Sequence, residues 1–259
     1  MKHEDLVPII EDILRDCKPF LSMIGYDPKY IPVRDMGSLS LSYDDDIIQH
    51  FKTRPDRLGK RGTDYTKQII ENTFKDKNIP SRYRNAIIAS SLGKNTLFGF
   101  DEDQACYIIP KGKFTYAYIA NDFNSGSFDT INSIYVRLYN ILSADELSAA
   151  YSEFHSSFEL ATIDQLENIS KKSTDIAISH VGDDLRGQEI IKKIHQNIVS
   201  TLNSIQKHYF SDDGIQTDNY KQAFSKENEI WFNCESYYAI PYTNKKMVKK
   251  VFSAIKRGK

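Results

Sequence analysis

Apolar residues recur at helical spacing near the start of the chain, where Leu6, Ile9, Ile10, Ile13, Leu14, Phe20 and Leu21 form one stripe. That spacing predicts an amphipathic helix, or a pair of short ones, over about residues 4–23, with Pro8 tolerated in the first turn. Pro28 and Pro32 then enforce an extended link. Residues 38–43 (SLSLSY) alternate at period two and predict a half-buried strand. Residues 52–62 form a basic loop with Lys52, Arg54, Arg57, Lys60 and Arg61, after which Thr63 is placed to cap a helix. The apolar face of that helix holds Ile69, Ile70 and Phe74.

The next stretch changes period. Residues 84–91 (RNAIIASS), the run from Cys106 to Ile109, and residues 113–121 (KFTYAYIAN) read as strands, being β-branched and aromatic. Pro110 and Gly112 are expected to break the second from the third, and residues 101–105 read as a helical turn. Between about 130 and 210 the pattern is helical, with helices expected at 130–142, 144–156, 163–171 and 184–209. The last carries Ile190, Ile194, Ile198, Leu202 and Ile205 on one face. Strand character resumes at Glu229, as Ile230-Trp231-Phe232 and then Ser236 to Ile240. Met247, Val248, Val251, Phe252 and Ile255 stripe a basic tail. It reads as a terminal helix docked on the core; the competing reading is a basic contact for nucleic acid or membrane.

These elements assemble into a single α+β domain over residues 1–259. A helical segment (1–33) precedes a β-rich core (34–121 and 216–243), which is interrupted by a helical insertion (122–215) and followed by the basic helix (244–259). Composition changes this picture little. The 259 residues are 40% hydrophobic and 27% charged with net charge −1, as in a soluble globular protein, which argues against wholesale polyanion binding but leaves room for local basic patches. Three scattered cysteines without C-x-x-C spacing fit a reducing compartment. With no signal peptide and no apolar stretch of membrane-spanning length, a cytoplasmic location and no membrane partner are expected.

Candidate chemistry centres on Glu227-Asn228-Glu229, two carboxylates entering an aromatic strand, where one can orient a substrate while the other polarises a reacting group. Upstream lie Lys60-Arg61-Gly62-Thr63 before a helix, and Ala89-Ser90-Ser91 at a strand end. Together these resemble the arginine, serine and glutamate motifs of the R-S-E branch of the ADP-ribosyltransferase fold. The resemblance covers residues 57–121 and 219–242. It implies a split, mostly antiparallel sheet and transfer of ADP-ribose from NAD to a macromolecular acceptor, either protein or nucleic acid. Arg61, with Arg57 in reserve, would hold the pyrophosphate, which a bidentate guanidinium suits, and Gly62 would let backbone approach it. Ser90 or Ser91 would orient the last glutamate. Glu229 would stabilise the oxocarbenium-like state as nicotinamide leaves, and Glu227 would act on the acceptor side. The family pattern has threonine between its serines and an aromatic before Arg-Gly; here Ala-Ser-Ser and Lys60 stand instead.

The basic loop, RNAIIAS, YIIPKGKFTYAY and NEIWFNCESYYAI are also similar, in that order, to uncharacterised tailed-bacteriophage proteins. This implies a phage-encoded chain acting in host cytoplasm or carried in a virion. A non-catalytic virion or accessory protein on the same fold is therefore the alternative, with the basic loop and tail as phosphate contacts and Tyr65, Phe114, Tyr116 and Tyr118 as stacking candidates. Metal chemistry has less behind it. Gly37-Ser38 with Asp44, Asp45 and Asp46 resembles a nucleotidyltransferase motif at too short a spacing, Asp101-Glu102-Asp103 reads as helix-dipole partners, and the six histidines lack ligand spacing. No metal is expected.

Overall fold

The first apolar stripe folds as two helices, α1 (His3–Asp16) and α2 (Lys18–Met23), in a computed structural model that describes residues 3–36, 48–55, 65–91, 104–120, 130–142, 156–157 and 160–258. The expectations at 38–43, Thr63, 101–103 and most of 144–156 lie outside those residues, as do Arg57, Arg61, Gly62 and both acidic triplets. The chain divides into two units: Met1–Asp56, Pro80–Ala120 and Gln216–Lys259 form the first, Arg57–Ile79 and Asn121–Ile215 the second.

The strands form a mostly antiparallel sheet of six: β1 (Val33–Asp35), β2 (Gln49–Lys52), β3 (Ala86–Ala89), β4 (Ala105–Ile119), β5 (Ile215–Gln216) and β6 (Ile230–Pro241), all but β5 lying wholly in the first unit. Lys52, expected in the basic loop, ends β2 instead. The long β4 and β6 pair along their lengths, from Cys106 opposite Pro241 to Tyr118 opposite Ile230. Along the far edge of β6, β3 covers Ile230–Asn233 and β2 covers Ser236–Ala239. β1 lies on the other side of β4, opposite Ala105–Tyr107. The α+β class is therefore present.

Pro110 and Gly112 do not end a strand, contrary to expectation; β4 runs through both. The Ile108 amide donates to the Pro32 carbonyl at 2.9 Å, so the amide position two residues on faces the same edge, past the end of β1. A residue with no N–H is tolerated there. Gly112 (φ +70°) then opens a bulge between Lys111 and Phe114, where the register with β6 shifts. Likewise β6 is one strand rather than two segments. Pro28, expected in an extended link, instead starts a 3₁₀ turn over Pro28–Tyr30, capped by Asp27.

One face of the sheet packs against α1, α2, α7 (Tyr220–Ser225) and the terminal helix α8 (Lys245–Arg257). Its core includes Ile13, Phe20, Leu21, Tyr220, Ile230, Phe232, Val251 and Ile255. The opposite face carries a smaller cluster with Ile87, Cys106, Ile108, Tyr237 and Ala239. The tail helix docks as its stripe predicts, with Met247, Val251 and Ile255 buried. Burial pushes the thiols of Cys17 and Cys106 up to about 12 and that of Cys234 up to about 11, so all three are unreactive.

Asp16, at the end of α1, accepts from Arg15 at 2.8 Å and pairs with Lys111 of β4 at 2.9 Å. These bonds, Arg15 first, hold its carboxyl down at about 2. A depressed carboxyl stabilises the fold above its unfolded value near 4 and loses that contribution as pH falls through 2. Asp16→Asn should therefore flatten the acid limb of a stability–pH profile between pH 4 and 2, by about 0.5–1 kcal/mol once solvent screening is counted. A profile unchanged by the substitution would show that the pair contributes nothing.

In the second unit, α3 (Tyr65–Asp76), α4 (Thr130–Leu142), α5 (Ile163–Val181) and α6 (Leu185–Tyr209) pack on one another. A capping box, Thr162 with Gln165, starts α5, and the Ile163 amide donates to Thr73 Oγ1 at 2.9 Å. The helix expected at 163–171 extends to Val181, until Gly182 (φ +55°) ends it. On α6 the buried stripe is Ile191, Ile198, Leu202, Ile205 and Tyr209; Ile190 is 51% exposed. An isoleucine on either side of the stripe fits helical spacing, so the neighbouring helix decides between them.

Candidate functional site

Ser90 and Ser91 follow β3, and the backbone there is tied to β1. The Val33 amide donates to the Ser90 carbonyl at 2.9 Å, and the Ser90 amide donates back at 3.1 Å. This bridge brings the end of β3 to β1, already paired with β4 on its other side. Ser90 Oγ donates to the Ser91 carbonyl at 3.3 Å. Ser91 Oγ is buried and has no hydrogen-bond partner among the described residues. An orphaned buried hydroxyl is costly unless something outside the fold completes it.

Glu227 stands where α7 ends. The Glu227 amide donates to the Phe224 carbonyl and the Asn228 amide to the Ala223 carbonyl, closing the helix. This closure needs a left-handed residue, and Glu227 supplies it at φ +57°, a position that usually takes glycine. The strained backbone presents an exposed carboxylate.

Ser91 and Glu227 line one cavity of about 560 Å³. Its walls come from the 3₁₀ turn (Tyr30), the start of β1 (Val33), β4 (Tyr107), α7 (Phe224) and α8 (Phe252). Phe252 meets Tyr107 edge-on at 4.9 Å, and Phe224 meets Tyr30 edge-on at 5.7 Å, so the aromatic walls brace one another. Burial, with Tyr242 nearby, raises Tyr107 above its ordinary value, so its hydroxyl stays a donor at neutral pH. Lys29 also lines the cavity, paired with Asp27 at 3.3 Å.

Glu229 goes elsewhere. Just before β6, its Oε1 accepts from Arg82 Nη2 at 2.6 Å. The Arg82 side chain is only 8% exposed and lies over the rings of Tyr83 and Trp231, at 5.4 and 5.9 Å. Trp231 Nε1 in turn donates to the Pro80 carbonyl at 2.9 Å. Of the residues singled out from sequence, the structure thus brings Ser91 and Glu227 to one cavity and sets Glu229 against Arg82. Arg82 was not singled out: an arginine in a polar loop before a strand gives no sign that a carboxylate 147 residues later will meet it.

The sheet aromatics are not stacking platforms. Phe114 packs between Phe20 and Phe232, Tyr116 lies against Tyr220, and Tyr118 is 3% exposed. The side chain of Tyr65 is outside the described residues. Arg34, on β1, is half-buried with an Nη1 that has no hydrogen-bond partner among the described residues. Strand alternation puts it on the face opposite Val33, away from the cavity. Among the described residues no three His, Cys, Asp or Glu side chains gather as metal ligands, and no helix is long and apolar enough to cross a membrane. No family model, curated protein or solved structure matches the chain.

Proposed function

We propose that the cavity between the end of β3 and the end of α7 binds the nicotinamide–ribose end of NAD, and that the chain transfers ADP-ribose to a macromolecular acceptor. The observation that carries this reading is the meeting of Ser91 and Glu227, named from distant motifs, in one aromatic-walled cavity. A flat heterocycle fits between aromatic rings, and an orphaned hydroxyl can complete its hydrogen bonding on a ribose or carboxamide oxygen. In the reaction the glycosidic C–N bond breaks and its electron pair leaves with nicotinamide. The acceptor nucleophile then bonds to the ribose carbon, giving its proton to Glu227 as general base. Glu229, bonded to Arg82, fixes the start of β6 and so the turn that presents Glu227.

Glu227→Gly gives a test with two readouts. Replacing a left-handed glutamate by glycine relieves backbone strain, so stability should rise by about 0.5–1 kcal/mol. Transfer should be lost in the same variant. Ser91→Ala should weaken NAD binding about fivefold to tenfold by calorimetric titration, the loss of one neutral hydrogen bond. Absence of saturable binding at millimolar NAD by the unaltered chain would sink the proposal.

One observation favours a second reading. Glu229, to which the resemblance gives catalysis, already has a guanidinium partner, as would suit a phage virion or accessory protein that binds ligand without turnover. NAD binding with no release of nicotinamide in the presence of host lysate proteins would select it.

A further inference from the structure

A second cavity, of about 620 Å³, lies between α1 and α8 in the same unit. Its apolar lining is Leu6, Val7 and Ile10 from α1 and Ala254 from α8, and Val7 is 44% exposed. Lys246, Lys249, Lys250 and Arg257 ring it, and Glu11 is the single carboxylate in the lining. α8 carries six basic residues and no acidic one, in a chain whose net charge is −1. Among the described residues, none of the four cations that ring the cavity has a carboxylate within ion-pair distance.

Docking α8 on the core needs only Met247, Val251 and Ile255, which are buried. The cations take no part in that docking, and concentrating like charge beside an apolar trough raises the free energy of the isolated unit. Shape and charge together select an occupant. A polyanion such as nucleic acid has no use for an apolar floor, and a bilayer surface is flat where this site is a groove between two helices. From Lys246 to Arg257 the groove wall is about 16 Å long, three helical turns.

We propose that the α1–α8 groove is a docking site for an acidic amphipathic helix of a partner protein. Its apolar stripe would lie on Val7 and Ile10, and its flanking glutamates or aspartates would meet Lys246, Lys249, Lys250 and Arg257. Such a helix brings apolar side chains at i, i+4 and i+7 on one face, as helix-in-groove recognition requires. The inference does not depend on the NAD reading, since the two cavities share no lining residue.

The probe is a fluorescein-labelled 14-residue peptide with leucines at i, i+4, i+7 and i+11 flanked by glutamates, measured by fluorescence anisotropy against the full chain. The control has the same composition with its leucines scattered around the helix. Binding of the patterned peptide should be at least about tenfold tighter than of the control, a difference of about 1.4 kcal/mol. Lys246→Glu with Lys250→Glu should remove that preference, and a lysine-flanked version of the peptide should regain binding to this double variant. Val7→Asp, at an exposed position, should weaken binding with an unchanged melting temperature. Equal binding of patterned and scattered peptides would overturn the proposal, because charge alone would then account for it. So would retained affinity in the Lys246→Glu, Lys250→Glu variant. Sedimentation of the chain with phosphatidylserine vesicles, where the patterned peptide fails to bind, would overturn it in favour of a lipid surface.

Discussion

Replacing Phe20 with alanine is expected to cost about 3–5 kcal/mol of folding stability. Phe20 is fully buried on α2, and its ring meets Phe114, Tyr220 and Phe232 at centroid distances of 5.8, 5.9 and 6.0 Å, all near edge-on. One ring therefore joins α2 to β4, α7 and β6. Its removal leaves a void bounded by three other rings, which cannot collapse into it without breaking contacts of their own. Domains of this kind are stable by about 5–15 kcal/mol, so the variant would approach the unfolding threshold. Phe20→Leu keeps most of the volume and should cost less than half as much. Urea denaturation should show a lower midpoint at unchanged slope. A loss below about 1 kcal/mol for Phe20→Ala would mean that the aromatic cluster repacks freely.

Glu229→Gln is expected to destabilise the fold by about 2–3 kcal/mol, the value of a charge-assisted hydrogen bond to a guanidinium held out of water. Arg82 is 8% exposed and is sandwiched with Trp231 and Tyr83, so it cannot swing out to find solvent when its carboxylate partner is neutralised. Because Trp231 is itself fully buried and bonded to the Pro80 carbonyl, the disturbance should reach the start of β6. Arg82→Lys should fail to substitute, since a lysine lacks the planar fork that covers the indole while bonding the carboxylate. The double variant Arg82→Met, Glu229→Gln should recover much of the loss, because neither charge is then left without the other. Additive losses in the double variant would sink the idea that the two act as a pair. This expectation also bears on transfer: loss of activity on altering Glu229 has a structural route, whereas loss in Glu227→Gly, with stability raised, has none.

Several elements were legible in the chain because local pattern and tertiary environment agree. The helix at 130–142 and the stripe of α8 follow from a period that only one face can bury, and the strand at RNAIIASS from a short apolar run buried on both faces. That Ser91 and Glu227 line one cavity was not legible, since the resemblance sets the serine against Glu229, which pairs with Arg82 instead. The two meet at the cavity through the Val33–Ser90 bridge and the left-handed turn at Glu227, neither of which has a period. Where sequence reading went astray, a neighbour overrode local chemistry. Pro110 sits in a long strand because β1 has already ended opposite it. Ile190 is exposed while Ile191 is buried, because the adjoining helices choose the face.

By itself, then, the sequence determined the α+β class and the span of most helices, both of which depend on the spacing of apolar residues along a few turns. The tertiary structure alone decided which carboxylate faces a cavity and which is bound to Arg82. Glu227 and Glu229 are two residues apart, yet a left-handed backbone at the first and the start of β6 at the second send them to different partners. Contacts made across 147 residues leave no trace in local spacing.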